Sequence, residues 1–134
     1  MTRWRWIGIL SLALWSGRWM APVANAGSTG YSVEDLKLHS AGDLVDVCTI
    51  ASGHEEYATA LAFCYGFFEG AIRYSEAISA SKHHKKLVCA PTGTTRLQAV
   101  EAFVSFIKTN PQYADEGPVD AMYRALMPLW PCPE

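Results

Sequence analysis

The chain lacks the short motifs that mark the common enzyme families. It has no P-loop, no glycine-rich dinucleotide turn and no Gly-x-Ser-x-Gly nucleophile elbow. Its four cysteines include no closely spaced pair of the kind that binds zinc. The adjacent His83 and His84 cannot both face one ion in a regular helix or strand. The sequence therefore favours a binding protein, with no catalytic residue, cofactor or metal, over an enzyme.

Two pairs of side chains could still act in catalysis, and each pair has a simpler structural explanation. A cysteine nucleophile beside a histidine needs a free thiol, which two disulfides would remove. Glu69 and Glu76 could act as a carboxylate pair. Arg73 lies four and three residues from them on the same predicted helix, within reach of both. We therefore predict that these carboxylates form surface ion pairs.

The first 26 residues do not resemble the start of a cytoplasmic protein. They have the composition of a secretory signal peptide. Arg3 and Arg5 precede an apolar run, residues 7–15, that is too short to span a bilayer, and Ala24-Asn-Ala26 has the small residues of a cleavage site. We expect cleavage there and a single domain over residues 27–134. An uncleaved N-terminal anchor is the alternative.

Basic residues are scarce once this leader is removed. Three of the 11 Lys and Arg residues lie in it, which leaves 8 against 13 Asp and Glu residues. This balance disfavours nucleic acid and anionic membrane surfaces as partners of the mature protein.

Four cysteines in an exported chain are expected to form two disulfides, and three connectivities are possible from sequence alone. We favour Cys48 with Cys64 and Cys89 with Cys132. The first bridge would join consecutive helices, and the second would tie the C-terminal tail to the loop after the central helix. In the chain-entropy treatment these bridges contribute about 3 and about 4 kcal/mol to stability.

Segments with the alternating period of a β-strand are absent, as are internal repeats, and the remaining signals are helical. Ser40 predicts the start of a helix that ends near residue 51. Thr95 and Gln98 have the spacing of a capping box. The apolar residues that follow repeat at intervals of three and four, at Leu97, Val100, Val104 and Ile107. Pro118 predicts the start of a last short helix. Its apolar residues are Val119, Met122 and Leu126.

The central helix is predicted from about residue 54 to residue 79, and it is apolar or small on almost every side. We therefore expect neighbouring helices to surround it. Gly66 and Gly70 lie four apart on one flank, where each lowers helix propensity by about 1 kcal/mol relative to Ala. Close approach of a neighbouring helix would compensate for that cost. The predicted fold class is all-α, a small disulfide-bonded bundle of about four helices around a central apolar helix.

The order of cysteines, glycines and prolines resembles that of a known family. The matching segments are Asp43-Leu-Val-Asp-Val-Cys48, Phe63-Cys64-Tyr-Gly66-Phe-Phe-Glu-Gly70-Ala, Val88-Cys89-Ala-Pro91, Asn110-Pro111 and Pro131-Cys132. They resemble the Tai and Rap-type resistance proteins, which are periplasmic immunity proteins that protect bacteria from type VI secreted peptidoglycan amidases. The resemblance covers about residues 43–132. Tyr65 and the basic cluster of residues 82–86 depart from the pattern of the family, so the target stays open.

The resemblance implies a small, disulfide-bonded helical domain in the periplasm. Proteins of this kind are often homodimers, and they bind a cognate amidase and occlude the cleft that holds its cysteine nucleophile and histidine. The sequence does not separate this role from that of a domain of the same fold that binds another envelope protein. A small acid-activated chaperone is a third reading, but two disulfides on so small a core favour a rigid fold.

Two loops are the candidate partner-binding surfaces. The acidic loop, residues 112–117, presents Tyr113, Asp115 and Glu116. One of its carboxylates could approach the histidine of an amidase while Tyr113 fills the cleft. The alternative is an ordinary polar connection between two helices.

The basic cluster, residues 82–86, is the second candidate surface. Its partner-binding candidates are His83, His84 and Lys86. The alternative is again a solvated loop.

Overall fold

The computed structural model describes residues 30–81 and 83–133, so the predicted signal peptide lies outside the described residues. The four helices are α1 (Ala41–Cys48), α2 (Tyr57–Ser79), α3 (Arg96–Thr109) and α4 (Pro118–Leu126), with short 3-10 helices at Val33–Lys37 and Pro111–Tyr113. No strand occurs in the described part of the chain, and the predicted all-α fold class is confirmed. Among the described residues, no helix has both the length and the apolar character needed to cross a membrane.

Side-chain caps fix where α1 and α3 begin. The Asp43 amide donates to Ser40 Oγ at 3.2 Å, and the Ser40 amide donates to the Asp43 carboxylate at 3.1 Å. At α3 the Gln98 amide donates to Thr95 Oγ1 at 3.3 Å, and the Thr95 amide donates to Gln98 Oε1 at 2.8 Å. These reciprocal bonds satisfy amides that have no partner inside the helix. Both predicted helix starts are confirmed.

The connection between α1 and α2 is longer than predicted. Helix α1 ends at Cys48 instead of near residue 51, and α2 begins at Tyr57 instead of residue 54. The intervening chain forms two turns, in which the His54 amide donates to the Ala51 carbonyl at 2.9 Å and the Tyr57 amide donates to the His54 carbonyl at 3.1 Å. These turn bonds replace the helical bonds that the sequence led us to expect.

The N-terminal segment is fixed to this connection through Tyr31. Its hydroxyl donates to the Glu56 carboxylate at 2.8 Å, and its ring meets the ring of His54 edge-on, with centroids 5.3 Å apart. Partial burial and the hydrogen bond to Glu56 together raise the pKa of Tyr31 to about 12. The N-terminal end of the described chain is therefore held beside the start of α2.

A single core joins all four helices. Phe68 of α2 and Phe103 of α3 are fully buried, and their rings pack edge to face with centroids 5.6 Å apart. The other large, fully buried side chains are Leu44, Val47, Cys64, Met122 and Leu126. An edge-to-face aromatic pair contributes about 0.5–1.5 kcal/mol beyond the burial of its area. The core thus holds α2 against α3.

Both predicted disulfides are confirmed. Cys48 pairs with Cys64, which joins the end of α1 to α2, and Cys89 pairs with Cys132, which joins the tail to the loop before α3. The second bridge is supported by a hydrogen bond from the Cys89 amide to the Trp130 carbonyl at 2.9 Å.

The prediction that neighbouring helices surround α2 is wrong for the described chain. Gly66 and Gly70 are exposed, and a Cβ atom added at either would meet no neighbouring atom within 4 Å. The buried residues of α2 form a single stripe, namely Ala60, Cys64, Phe68 and Ser75. The two glycines therefore do not allow close packing between helices of the described chain. One face of α2 is open.

Two residues assigned to buried helix faces are exposed. Leu97 is 49% exposed and Val119 is 44% exposed. Each is the second residue of its helix and lies in the first turn, beyond the part that packs on other helices. Alanines contribute to the packing surfaces instead, at Ala99, Ala121 and Ala125.

Candidate functional site

The acidic loop packs against the start of α1. The Ala41 amide donates to the Glu116 carbonyl, and the Gly42 amide donates to the Ala114 carbonyl, both at 2.8 Å. These are first-turn amides, which α1 cannot satisfy with its own carbonyls. The loop lies so close to α1 that a Cβ atom at position 42 would be in van der Waals contact with it, 3.5 Å from the Ala114 carbonyl oxygen. The backbone of the acidic loop is therefore held by α1.

Side chains from α3 and α4 hold the same loop. Arg124 donates from Nε and Nη2 to the two carboxylate oxygens of Glu116, at 3.0 and 2.9 Å. Its guanidinium also lies 4.6 Å from the ring centroid of Tyr113, and that ring stacks on Phe106 with centroids 5.5 Å apart. The hydrogen bond to Glu116 raises the pKa of Arg124 above its ordinary value. The loop is thus fixed from three helices.

The three predicted contact residues of this loop have different surroundings. Tyr113 is half-buried between Phe106 and Arg124, and both carboxylate oxygens of Glu116 are engaged by Arg124. Asp115 is exposed, and its side chain makes no hydrogen bond or ion pair with any residue that the structure describes. The loop therefore presents one free carboxylate on a fixed support.

The basic cluster lies where α2 ends. His83, His84, Lys85 and Lys86 are exposed, whereas Lys82 lies outside the described residues. His84 Nδ1 is 3.2 Å from the hydroxyl of Ser81. Within residues 30–81 and 83–133, no group of three or more His, Cys, Asp or Glu side chains could hold a metal ion. The role of this cluster in binding stays a prediction.

The carboxylates of α2 form the predicted ion pairs. Arg73 Nε lies 2.9 Å from Glu69, and Arg73 Nη1 lies 3.0 Å from Glu76. Arg96 Nε, which the sequence did not indicate, lies 3.5 Å from the other oxygen of Glu69. All these groups are substantially exposed, so the network contributes little to stability.

Sequence reasoning missed an apolar groove of about 1300 Å³ between α2 and α4. On its α2 side are Gly66 and Gly70, and Tyr123 of α4 bridges the two helices by donating its hydroxyl to the Ala71 carbonyl at 2.8 Å. Large apolar residues at its rim are substantially exposed, namely Tyr74, Ile78, Leu87, Val119 and Met127. The spacing of four between the two glycines was the feature of the sequence that indicated this surface. That spacing does not indicate whether the glycines face a neighbouring helix or an open groove.

The acidic loop lies at one end of the groove, whereas Lys86 of the basic cluster lines a separate cleft with Glu69 and Glu76. Glu116 of the acidic loop lines the end at the start of α4, and Leu87, which follows the basic cluster, lines the end near Met127. The disulfide between Cys89 and Cys132 fixes that second end, since it ties the chain after the basic cluster to the tail after α4.

Comparison with known proteins adds one finding to this geometry. The family model of Rap1a immunity proteins matches residues 40–132. No curated protein and no solved structure matches the chain. The match begins at the Ser40 cap, ends at Cys132, and includes the four helices and both disulfides. Because it covers more than two thirds of the 134 residues, the chain belongs to the family of Rap1a immunity proteins.

Proposed function

We propose that this protein is a periplasmic immunity protein that binds a type VI secreted peptidoglycan amidase and occludes its active site. Membership of the Rap1a immunity family carries the proposal, because an immunity protein acts by binding a cognate secreted effector. The amidase as target is supported by the resemblance in the order of cysteines, glycines and prolines. The periplasm is supported by the predicted signal peptide and by two disulfides, which persist in oxidising compartments.

The acidic loop is the proposed inhibitory surface, and its rigidity is the main support. Two backbone hydrogen bonds, a bidentate ion pair and a ring stack fix the loop before any partner arrives. A loop that is already ordered loses less conformational entropy on binding. Its conformation in the free protein is then the conformation that binds.

Asp115 is the proposed contact with the amidase. Its carboxylate is exposed and unpaired within the described chain, so it has no intramolecular bond to give up on binding. Opposite the histidine of a cysteine–histidine amidase it would form a charge-assisted hydrogen bond, which is stronger than a neutral one. Tyr113 and Glu116 act mainly as its support, through Phe106 and Arg124.

Asp115→Lys tests this assignment. The partner is a type VI secreted peptidoglycan amidase chosen as the candidate effector, and the measurements are its affinity by calorimetry and its inhibition in a peptidoglycan hydrolysis assay. Reversing the charge sets a cation opposite the histidine, so we expect the affinity to fall at least about 100-fold, which corresponds to about 2.7 kcal/mol. The matched control is Glu101→Lys, the same change of charge at an exposed position of α3.

The possible outcomes test the proposed binding site and the proposed immunity function separately. A folded Asp115→Lys protein with unchanged affinity would remove the acidic loop from the interface but leave the immunity role standing. A wild-type protein that neither binds nor inhibits the amidase would contradict the proposed function itself.

We also propose that the protein is a homodimer. The support is the resemblance stated above and the exposed apolar surface of the groove, since contiguous apolar patches on soluble proteins mark interaction sites. Light scattering coupled to size exclusion, over a range of protein concentrations, measures the stoichiometry directly.

A further inference from the structure

We propose that a second, smaller cleft, beside the C-terminal half of α2, binds an amino acid or a short peptide whose amino and carboxylate termini are both free. The cleft has a volume of about 260 Å³ and lies between α2, the chain that leads into α3, and the end of α4 with its tail. Pockets for drug-sized ligands are larger, at about 300–1,000 Å³. The proposal goes beyond the immunity function and does not depend on it.

Covalent and hydrogen-bonded links hold the walls of this cleft in place. Val88 lines one wall and Trp130 lines another. The disulfide between Cys89 and Cys132 joins these two walls, and the Cys89 amide donates to the Trp130 carbonyl at 2.9 Å. The cleft is therefore formed before a ligand arrives, which lowers the entropy that is lost on binding.

Two groups of opposite charge in the cleft have unused binding capacity. The Lys86 side chain forms no ion pair or hydrogen bond with any residue that the structure describes. The residue before it is held at the end of α2, where the Ser79 hydroxyl donates to the Lys85 carbonyl at 3.3 Å. One carboxylate oxygen of Glu76 accepts from Arg73 at 3.0 Å, whereas the other accepts no hydrogen bond within the described chain. The cleft thus offers a ligand one cation and one anion.

The remaining charges of the cleft disfavour a ligand with several negative charges. Both oxygens of Glu69 are engaged, by Arg73 at 2.9 Å and by Arg96 at 3.5 Å. Three cations and two carboxylates line the cleft, which leaves one positive charge in excess. A phosphate dianion would meet Glu69 and Glu76 at close range, so a single carboxylate beside an ammonium group fits this balance better.

An amino acid or a short peptide has the two groups that complement this pair. Its carboxylate would accept a charge-assisted hydrogen bond from Lys86, and its ammonium group would donate to the free oxygen of Glu76. Lys86 and Glu76 do not pair with each other in the structure, so neither contact with the ligand breaks an existing ion pair.

The rest of the lining combines apolar surface with one hydroxyl. Ile72, Val88 and Trp130 provide apolar surface, which favours an aliphatic side chain on the ligand. Ser75 also lines the cleft and is only 8% exposed, and its hydroxyl makes no hydrogen bond within the part of the chain that the structure describes. A buried polar group without a partner is costly, so Ser75 adds a polar contact that a ligand can satisfy.

Trp130 provides the measurement, because it is the only tryptophan of residues 27–134. We titrate the exported protein, whose cleaved N-terminus mass spectrometry verifies, with alanyl-leucine and separately with leucine. We expect saturable changes in fluorescence and in calorimetry, with a dissociation constant of about 1 mM or below for a ligand of this size. The tighter of the two probes shows whether the cleft takes a peptide or a free amino acid. No saturable binding of either probe up to about 10 mM overturns the proposal.

Lys86→Met and Glu76→Gln test the two charged contacts. Each should weaken the binding of alanyl-leucine at least about tenfold, since each removes one charge-assisted hydrogen bond. Lys85→Met and Glu101→Gln are the matched controls, because both residues are exposed and neither lines the cleft. Their affinities should equal that of the wild-type protein, and circular dichroism verifies that every variant is folded.

Peptides capped at one end separate the two contacts. N-acetyl-alanyl-leucine lacks the ammonium group, so Glu76→Gln should no longer change its affinity. Alanyl-leucine amide lacks the carboxylate, so Lys86→Met should no longer change its affinity. A capped peptide that binds as tightly as the free one overturns recognition of that terminus. Equal binding of alanyl-leucine by the wild-type protein and all four variants places the ligand outside this cleft and overturns the proposal.

Discussion

Arg124 connects α4 to the acidic loop through two contacts that differ in kind. Its bidentate ion pair with Glu116 fixes the direction of the loop, and its guanidinium covers the ring of Tyr113. Both contacts are partly exposed to solvent, so each contributes little to stability. Arg124 therefore contributes more to the ordering of the acidic loop than to the stability of the fold.

Replacing this arginine should therefore loosen the loop and leave the fold nearly intact. For Arg124→Met we expect little change in the midpoint of urea unfolding, together with faster hydrogen exchange of the amides in residues 113–117. Arg73→Met is the control, because it breaks two ion pairs on α2 that lie away from the loop. Equal exchange in the loop of both variants would show that α1 alone fixes it.

At the scale of a single element, α2 combines a buried stripe with an exposed one. Phe68 and Cys64 bind it to the core, whereas Gly66 and Gly70 contribute nothing to the packing within the described chain. The helix is thus held by one side only, and its glycines weaken it without a compensating contact among residues 30–81 and 83–133. Packing within that part of the chain therefore does not account for these glycines.

Alanine at these positions should make the isolated chain more stable. Gly66→Ala and Gly70→Ala should each raise the free energy of unfolding by up to about 1 kcal/mol, measured in urea at concentrations where the wild-type protein is monomeric. Gly42→Ala is the helical control. There an added Cβ atom would lie at ordinary van der Waals distance, 3.4 Å from Ser40 Oγ and 3.5 Å from the Ala114 carbonyl oxygen, so this variant tests alanine at a helical position that is already covered within the chain. Destabilisation by Gly66→Ala and Gly70→Ala would mean that the face is covered within one chain.

At the scale of the whole molecule, the two disulfides hold different parts and differ in access. In the first bridge Cys64 is fully buried and Cys48 is half-buried, whereas in the second bridge Cys89 and Cys132 are both half-buried, so the first bridge has one reachable sulfur atom and the second has two. The first bridge fixes α1 on α2. The second fixes the tail and the end of the groove near Leu87, so it determines the shape of that end.

Partial reduction should separate these roles. Because a reductant must reach a sulfur atom, we expect dithiothreitol to cleave Cys89–Cys132 before Cys48–Cys64, as measured by alkylation and peptide mass spectrometry. The species with one bridge reduced should keep its helical circular dichroism. The double variant Cys89→Ser/Cys132→Ser should lose about 4 kcal/mol of stability in the chain-entropy treatment. Reduction in the opposite order would contradict the difference in access.

Part of this architecture follows from the sequence because the interactions concerned are local. The caps at Ser40 and Thr95 bond to residues three positions later, and the Arg73 ion pairs span three and four residues of one helix. Such contacts form once the helix exists, whatever packs around it. The disulfide pairing was also predicted correctly, from the sequence alone, since each bridge joins segments that the helix order brings close together.

The remaining features depend on how whole helices are placed. Arg124 meets Glu116 and Tyr113 only because α4 turns back over the loop that precedes it, and no sequence spacing indicates that contact. The sequence likewise established that α2 carries a glycine-marked apolar flank, but not that this flank is open. Which face of an apolar helix is covered is decided by the positions of its neighbours, and those follow from the packing of the entire core, in which residues far apart in the chain meet.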